Sequence, residues 1–384
     1  MKPNSSFSQA NTSSATDPEK ILIIGPSWVG DMIMAQSLFI ILKQHNPDVQ
    51  IDVMAPGWSS ALLERMPEVT GTIDMPLGHG QLQLKERYHL GKSLRQQHYD
   101  QAILLPNSLK SALVPFWAGI PKRTGYIGEM RYGLLNDIRK LDSSRLTMTV
   151  QRFVALAYPK AQMFETHYAN LKNIPVPALK VKSGQVTAAL NKFQLSTEQP
   201  ILSICPGAEY GPAKQWPARH YAGLAKEKIA QGWQVWIFGS QKDNAIGEAI
   251  NQLLEQQAGH QAVNLCGRTE LAEAIDLMSV SQMVVSNDSG LMHMGAALGV
   301  PVVGVYGSSD PGFTPPLGDN SAMVSLKLAC SPCFKRICPL GHTDCLEKLN
   351  PALVIETMES LSKDCTDLDK AETAKEDITQ EHSH

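Results

Sequence analysis

At 384 residues the chain is long enough for two domains, each able to bury its own core. Its 43% hydrophobic and 18% charged residues place it among folded globular proteins, and no apolar run reaches the roughly 18 residues that a membrane-spanning helix needs. A net charge of -3 speaks against nucleic acid as a partner, because nucleic-acid binders carry a strong basic excess.

Met1 to Glu19 are rich in Ser, Asn and Thr and lack the basic-then-apolar layout of a secretory signal, so they read as a disordered leader. Without an export signal the chain is expected in the cytoplasm, where its seven cysteines are poor candidates for disulfides. From Ile21 short apolar runs alternate with amphipathic stretches, the pattern of a parallel sheet covered by helices. Ile21 to Ile24 predicts a buried strand, Gly25 to Gly30 a tight loop and Met32 to Lys43 a helix. Val49 to Met54 and Ala102 to Leu105 read as further strands, with helices around Ser59 to Arg65 and Leu84 to Gln97.

The proline-spaced stretch Ile174 to Pro177 suits an extended linker, which sets a boundary between domains 20–177 and 178–362. Beyond it, Ile201 to Cys205, Gln234 to Phe238, Ala262 to Leu265, Met283 to Ser286 and Val302 to Tyr306 are short, apolar and strand-like. Residues 363–384 mix acids, lysines and small polar groups without apolar periodicity and read as a disordered tail. The expected fold class is α/β, with two Rossmann-like wound domains facing across a cleft; such sheets bind ligands at the carboxyl ends of their strands.

Four segments can carry chemistry. Gly25-Pro26-Ser27-Trp28-Val29-Gly30-Asp31 is a glycine-bounded turn opening a helix, where free N-H groups attract anions and where Asp31 is either a functional carboxylate or a helix cap. Its glycine spacing is not the dinucleotide fingerprint, which argues against a nucleotide-dependent oxidoreductase. Pro206 to Pro217 is a long polar loop in which Lys214 offers a point charge to a diphosphate or is one more surface lysine. Ser286 to His293 again joins a strand to a helix; Asp288 can accept sugar hydroxyls or cap the helix, and His293 can be a core residue.

The fourth segment spaces Cys330, Cys333, Cys338 and Cys345 around His342. Four thiols at short spacing suit a structural zinc, against independent reduced or redox-sensitive thiols, although the spacing is that of no standard finger. A nucleic-acid module built on it is opposed by the charge balance. Basic residues Lys122, Arg123, Arg131, Arg139, Lys140 and Arg145 gather in the first half, either as a phosphate-gripping set or as scattered surface charge.

The strings ILIIGPSWVGDMIMAQSL from Ile21, CPGAEYGPAKQWP from Cys205 and SNDSGLMHMGAALGVPVVGVYGSSDP from Ser286 resemble the bacterial ADP-heptose:lipopolysaccharide heptosyltransferases of glycosyltransferase family 9, and so does the cysteine segment. The resemblance runs in order over about residues 20 to 362. It implies a GT-B fold and inverting transfer of heptose from ADP-L-glycero-D-manno-heptose to the first heptose of the lipopolysaccharide inner core. Transfer to a different core acceptor is the nearest alternative, and a non-catalytic two-lobed nucleotide-sugar binding protein a more distant one.

On this resemblance Asp31 is the general base. Lys214 contacts the donor phosphates, and Asp288 the donor sugar, with Ser289 and Gly290 near the phosphates. Glu209 joins the donor contacts, and Asp243 takes the ribose. Ser27, Trp28, Gly30, Arg123 and Arg131 meet the acceptor. Catalysis needs no cofactor. The partners are ADP-heptose, a heptosyl-Kdo2-lipid A acceptor and, peripherally, the inner face of the inner membrane.

Overall fold

The computed structural model describes residues 18–78, 80–163, 173–258 and 262–363. Apart from Pro18, Glu19 and Lys363, the expected leader and tail lie outside the described residues. The first half runs β1 (Lys20–Ile24), α1 (Val29–His45), β2 (Gln50–Ala55), α2 (Ser60–Leu63), β3 (Gly71–Asp74), α3 (Leu84–Leu94), β4 (Gln101–Leu104), α4 (Leu113–Trp117), β5 (Lys122–Tyr126), β6 (Asp137–Arg139) and α5 (Thr149–Val154). The second runs α6 (Ser183–Phe193), β7 (Ile201–Cys205), α7 (Ala218–Ala230), β8 (Gln234–Ile237), α8 (Asn244–Ala258), β9 (Val263–Asn264), α9 (Leu271–Met278), β10 (Met283–Asn287), α10 (Gly290–Ala297), β11 (Val302–Val305), β12 (Ser321–Val324) and α11 (Asp344–Glu347). A helix over 351–363 follows and buries Val354, Met358 and Leu361 against the second half.

Each half forms one six-stranded sheet, ordered β3-β2-β1-β4-β5-β6 and β12-β11-β10-β7-β8-β9, and every strand pair is parallel. Read from the β9 edge, the second order repeats the first. Both are the doubly wound order whose direction of winding reverses beside the first strand, opening a crevice outside the carboxyl ends. The reversals fall between β1 and β4 and between β7 and β10. Central strands are apolar on both faces because helices cover both: Leu22, Ile23, Ala102, Ile103, Leu202, Ile204, Val284 and Val285 are fully buried. Two such domains set face to face make the GT-B architecture.

Helix α1 lies between its own sheet and α10, which is why apolar residues are buried on nearly every side of it. Its two buried polar side chains are used. Gln36 donates to Glu68 at 2.9 Å and exchanges hydrogen bonds with both backbone groups of Ala178, while Ser37 donates to the Pro175 carbonyl. The extended segment around Pro177 thus runs along the seam, with Leu179 N-H donating to Ala297 and Lys180 N-H to Arg65. Arg65 crosses the seam to Asp276 on α9 as a buried two-oxygen pair at 2.7 and 2.8 Å. One apolar cluster, from Ile21 through Met34 to Ile275 and Met294, continues across both halves.

Candidate active site

Chain geometry at the first switch point places Asp31. Gly25 leaves β1 pressed between helix and sheet: an added Cβ would lie 3.1 Å from Ala55 Cβ and 3.3 Å from Val53 Cγ1 of β2, and 2.8 Å from Met32 Cε of α1. Helix α1 then begins at Val29 with Trp28 in the cap position, so Asp31 sits in the first turn without serving as the cap. Burial is the main influence on its carboxyl, raising its pKa to about 6; the charge of Asp288 adds to the rise and Lys214 opposes it.

Opposite it stand the ends of β7 and β10. Asn287, fully buried at the end of β10, donates to the carbonyls of Pro206 and Gly207 and accepts from Trp216 N-H at 3.1 Å and Tyr221 OH at 3.0 Å. Trp216 is itself buried and donates its indole N-H to Leu349. The long loop is therefore clamped at both ends, which aims Lys214 back at β10. Its ammonium meets Asp288 Oδ2 at 2.5 Å, and Thr314 Oγ1 approaches the other oxygen at 3.5 Å. Ser289, not Asp288, holds the N-cap position of α10, with no capping hydrogen bond from its side chain. Behind them His293 is buried and held neutral, its pKa pushed down to about 4 by that burial.

The two helix starts touch. A Cβ on Gly290 would stand 2.7 Å from Val29 Cβ and 3.2 Å from Gly30 N, and one on Gly30 would stand 2.7 Å from the His293 ring. Glycine at both positions lets two positive helix ends point into one crevice, a natural seat for a diphosphate.

Three hollows meet at Trp28. One, of about 350 Å³, holds Asp31, Glu209, Lys214, Asp288, Ser289 and Gly290 together. The second, of about 400 Å³, lies beyond Gly207 and Gly239 and is walled by Phe238, Leu271 and Leu291, with Asp243 and Thr269 as polar groups. Asp243 does face this hollow, and one of its oxygens is engaged by the N-H and hydroxyl of Ser240 at 2.8 and 2.7 Å. Glu209 carries an exposed pair with Lys242. The third hollow, of about 420 Å³, opens on the first domain between Ser27, Trp28, Asp31, Asn107, Tyr126 and Arg152.

Three expected acceptor residues do not line it: Gly30 faces the two donor-side hollows, and Arg123 and Arg131 are held elsewhere. Arg131 is fully buried and donates to the carbonyls of Pro106 and Tyr126 and to Ser111. Arg123 donates to the carbonyls of Leu134 and Ile120 at 2.6 Å each and covers the Phe116 ring. Both guanidinium groups are taken up by backbone carbonyls that folding would otherwise strand. Arg152 supplies the cation instead, stacked 4.9 Å from the centre of the Phe313 ring. Nothing in the local sequence around Arg152 marks it, because beyond Thr149 and Phe153 of its own helix its neighbours in the hollow come mainly from the segments that follow β1 and β4, from β5 and from the second domain. Asn287 was equally hidden: its clamp depends on a loop some 80 positions away.

The four cysteines and His342 line one hollow of about 20 Å³. The backbone N-H of Thr343 above all, with those of Leu340, Gly341 and His342, holds the Cys338 thiol below its usual pKa. Among the described residues, however, no three Cys, His, Asp or Glu side chains stand as a metal-holding group, so the four-thiolate tetrahedron suggested by the spacing is not formed in this arrangement. The loop braces the donor side: Arg336 O accepts from Ala213 N-H at 3.1 Å, and Phe334 O from Tyr210 OH at 2.9 Å.

Residues 87–344, well over half of the chain, match glycosyltransferase family 9 (heptosyltransferase). The chain belongs to glycosyltransferase family 9. This family 9 transferase is 48% identical over 342 residues to lipopolysaccharide heptosyltransferase 2 of Escherichia coli, covering 89% of this chain and 98% of that one. It is 51% identical over 312 residues to lipooligosaccharide heptosyltransferase 2 of Haemophilus influenzae, covering 80% and 88%. The solved structure of E. coli ADP-heptose lps heptosyltransferase II superposes with a TM-score of 0.78 at 47% identity, covering 89% of this chain and 98% of that one. Among the described residues of the family 9 chain, no helix is long and apolar enough to cross a membrane.

Proposed function

We propose that this glycosyltransferase moves heptose from ADP-L-glycero-D-manno-heptose onto the first heptose of a heptosyl-Kdo2-lipid A acceptor, with inversion. The observation that carries the reading is the shared crevice in which Asp31, from the first domain, faces Lys214, Asp288 and the start of α10, from the second. The names borne by relatives 48–51% identical favour this acceptor over other core positions.

The partly apolar hollow beyond Gly207 suits an adenosine, with Asp243 beside the ribose and Glu209 at the rim. The diphosphate then lies across the N-terminus of α10, within reach of Lys214, and the sugar against Asp288. The acceptor enters through the Arg152 hollow. As the acceptor oxygen bonds to the anomeric carbon, its proton passes to Asp31. The bond from that carbon to the β-phosphate oxygen breaks, and its electron pair leaves with ADP. Lys214 and the N-H groups at Ser289 and Gly290 stabilise the charge that develops there, so this step asks for no cofactor. Neutral His293 packs against Gly30 and keeps the two helix starts in register.

The acceptor's lipid places the reaction at the cytoplasmic face of the inner membrane, with the enzyme held there peripherally. A structural zinc would have to draw the thiols of Cys330, Cys333, Cys338 and Cys345 together from the positions they hold here; one zinc per chain in elemental analysis of the purified protein supports it, and absence of zinc removes it. The reaction itself is tested by incubating the protein with ADP-heptose and heptosyl-Kdo2-lipid A and weighing the product. A gain of one heptose supports the reading, and an unchanged acceptor beside intact donor contradicts it.

A further inference from the structure

Between residues 80 and 145 the chain carries eleven Lys and Arg against five Asp and Glu; with Arg87, Arg131 and Arg139 buried, eight against five remain at the surface, although the net charge of the chain is -3. The same stretch holds seven of the large hydrophobic side chains most exposed to solvent, among them Leu82, Leu109, Met130 and Tyr132. Hydrogen bonds bring these four together on one rim. Buried Arg87 donates to the carbonyls of Leu82 and Lys110. Leu109 N-H donates to the Glu129 carboxylate at 2.7 Å, and Arg131 reaches the Ser108 carbonyl from beneath the turn that carries Met130 and Tyr132. The rim adjoins the acceptor hollow, whose wall includes Pro106 and Asn107.

The turn itself is unusual. Glu129 and Met130, neither of them glycine, both take left-handed backbone angles, with φ of 43° and 49°. Next in the chain, Arg131 is anchored by its buried guanidinium to the carbonyls of Pro106 and Tyr126, and on either side of it Met130 stands 81% and Tyr132 69% exposed. A strained turn that pushes two apolar groups into water, amid surplus positive charge, fits a partner with an anionic surface and an apolar interior.

We propose that this rim, with Leu82, Leu109, Met130 and Tyr132 as apolar contacts and Lys85 and Lys110 as charges, is the surface by which the first domain docks on an anionic lipid bilayer. The inference rests on the reading that the acceptor is lipid-linked: docking here brings the mouth of the acceptor hollow to the membrane. Apolar side chains enter the headgroup boundary while lysines face anionic lipid.

The test uses the full chain and sedimentation with vesicles of phosphatidylethanolamine and phosphatidylglycerol, beside vesicles of pure phosphatidylcholine. Wild type is expected to sediment with the anionic vesicles, less so as salt is raised, and poorly with phosphatidylcholine. The double variant Met130→Asp, Tyr132→Ser should lose roughly tenfold in vesicle partitioning. It should keep wild-type ADP binding by calorimetry, and wild-type turnover on a deacylated, water-soluble acceptor saccharide. Equal vesicle binding by wild type and variant, or none by wild type, overturns the docking surface. Gel filtration showing a dimer that the variant dissolves, with vesicle binding unchanged, also overturns it and makes the rim an interface between copies. Failure of wild type to glycosylate the deacylated saccharide counts against the transferase reading alone, since vesicle binding still decides the rim.

Discussion

In the free enzyme Lys214 spends its charge on Asp288, Nζ to Oδ2 at 2.5 Å, in the place where a departing diphosphate would need it. The pair also sets the electrostatics of Asp31, which feels both charges. Donor binding must exchange one anionic partner of Lys214 for another, and that exchange gives the two residues opposite mutational signatures.

Lys214→Ala removes a charge-assisted contact worth roughly 1.5–3 kcal/mol and leaves the Asp288 carboxylate facing the phosphates unpaired. ADP affinity should fall by about 10- to 100-fold in calorimetry. Asp288→Asn frees the lysine and removes a like charge, so ADP should bind at least as tightly as to wild type while turnover drops. Equal weakening by both variants would show that the pair acts only as a structural unit.

The pH profile follows from Asp31. A base whose pKa is raised to about 6 loses function as pH falls through that value, so kcat/KM of wild type should show an acid limb near pH 6. Asp288→Asn deletes a charge that raises this pKa and should move the limb to lower pH. Lys214→Ala deletes the charge that lowers it and should move the limb to higher pH. Shifts of the same sign in both variants would contradict the placement of the three groups.

Asp31 also bears on stability. Because its folded pKa lies above the unfolded value of 3.8, the folded state holds the proton more tightly, and its contribution to stability is fully present below pH 3.8 and lost as pH rises through about 6. Asp31→Asn should therefore stabilise the protein at pH 7.5 by on the order of 2 kcal/mol and have little effect at pH 3.5. Thermal unfolding at both pH values measures the difference.

Arg65 and Asp276 join the two halves from within the seam. Arg65→Met strands a buried carboxylate and should lower stability by about 3–5 kcal/mol, whereas replacing both partners by apolar residues should recover most of the loss. Chemical denaturation of the single and double variants tests this.

Much of this arrangement is legible in the sequence, for a physical reason. Central strands such as β1, β7 and β10 are covered on both faces and so are written as uninterrupted apolar runs, and Asp31 and Asp288 stand where those runs end. Strands at or near the sheet edges are not: Gly71–Asp74, Lys122–Tyr126, Asp137–Arg139 and Ser321–Val324 are short, half polar and show no such run. Side chains whose role is decided by distant backbone were also misread or missed. Arg131 looks like an acceptor ligand until the carbonyls of Pro106 and Tyr126 close around it. Asn287 shows nothing of its grip on Pro206, and Arg152 gives no sign that it faces a hollow shared with Phe313.

Single-turnover transfer by Asp31→Asn, measured beside ADP affinity on the same preparation, puts the central assignment to the most direct test. The arrangement predicts a rate lower by about 10²- to 10⁴-fold with ADP bound as tightly as by wild type. A variant that transfers heptose at the wild-type rate would mean that the acceptor proton leaves by another route, and that Asp31 is not the base.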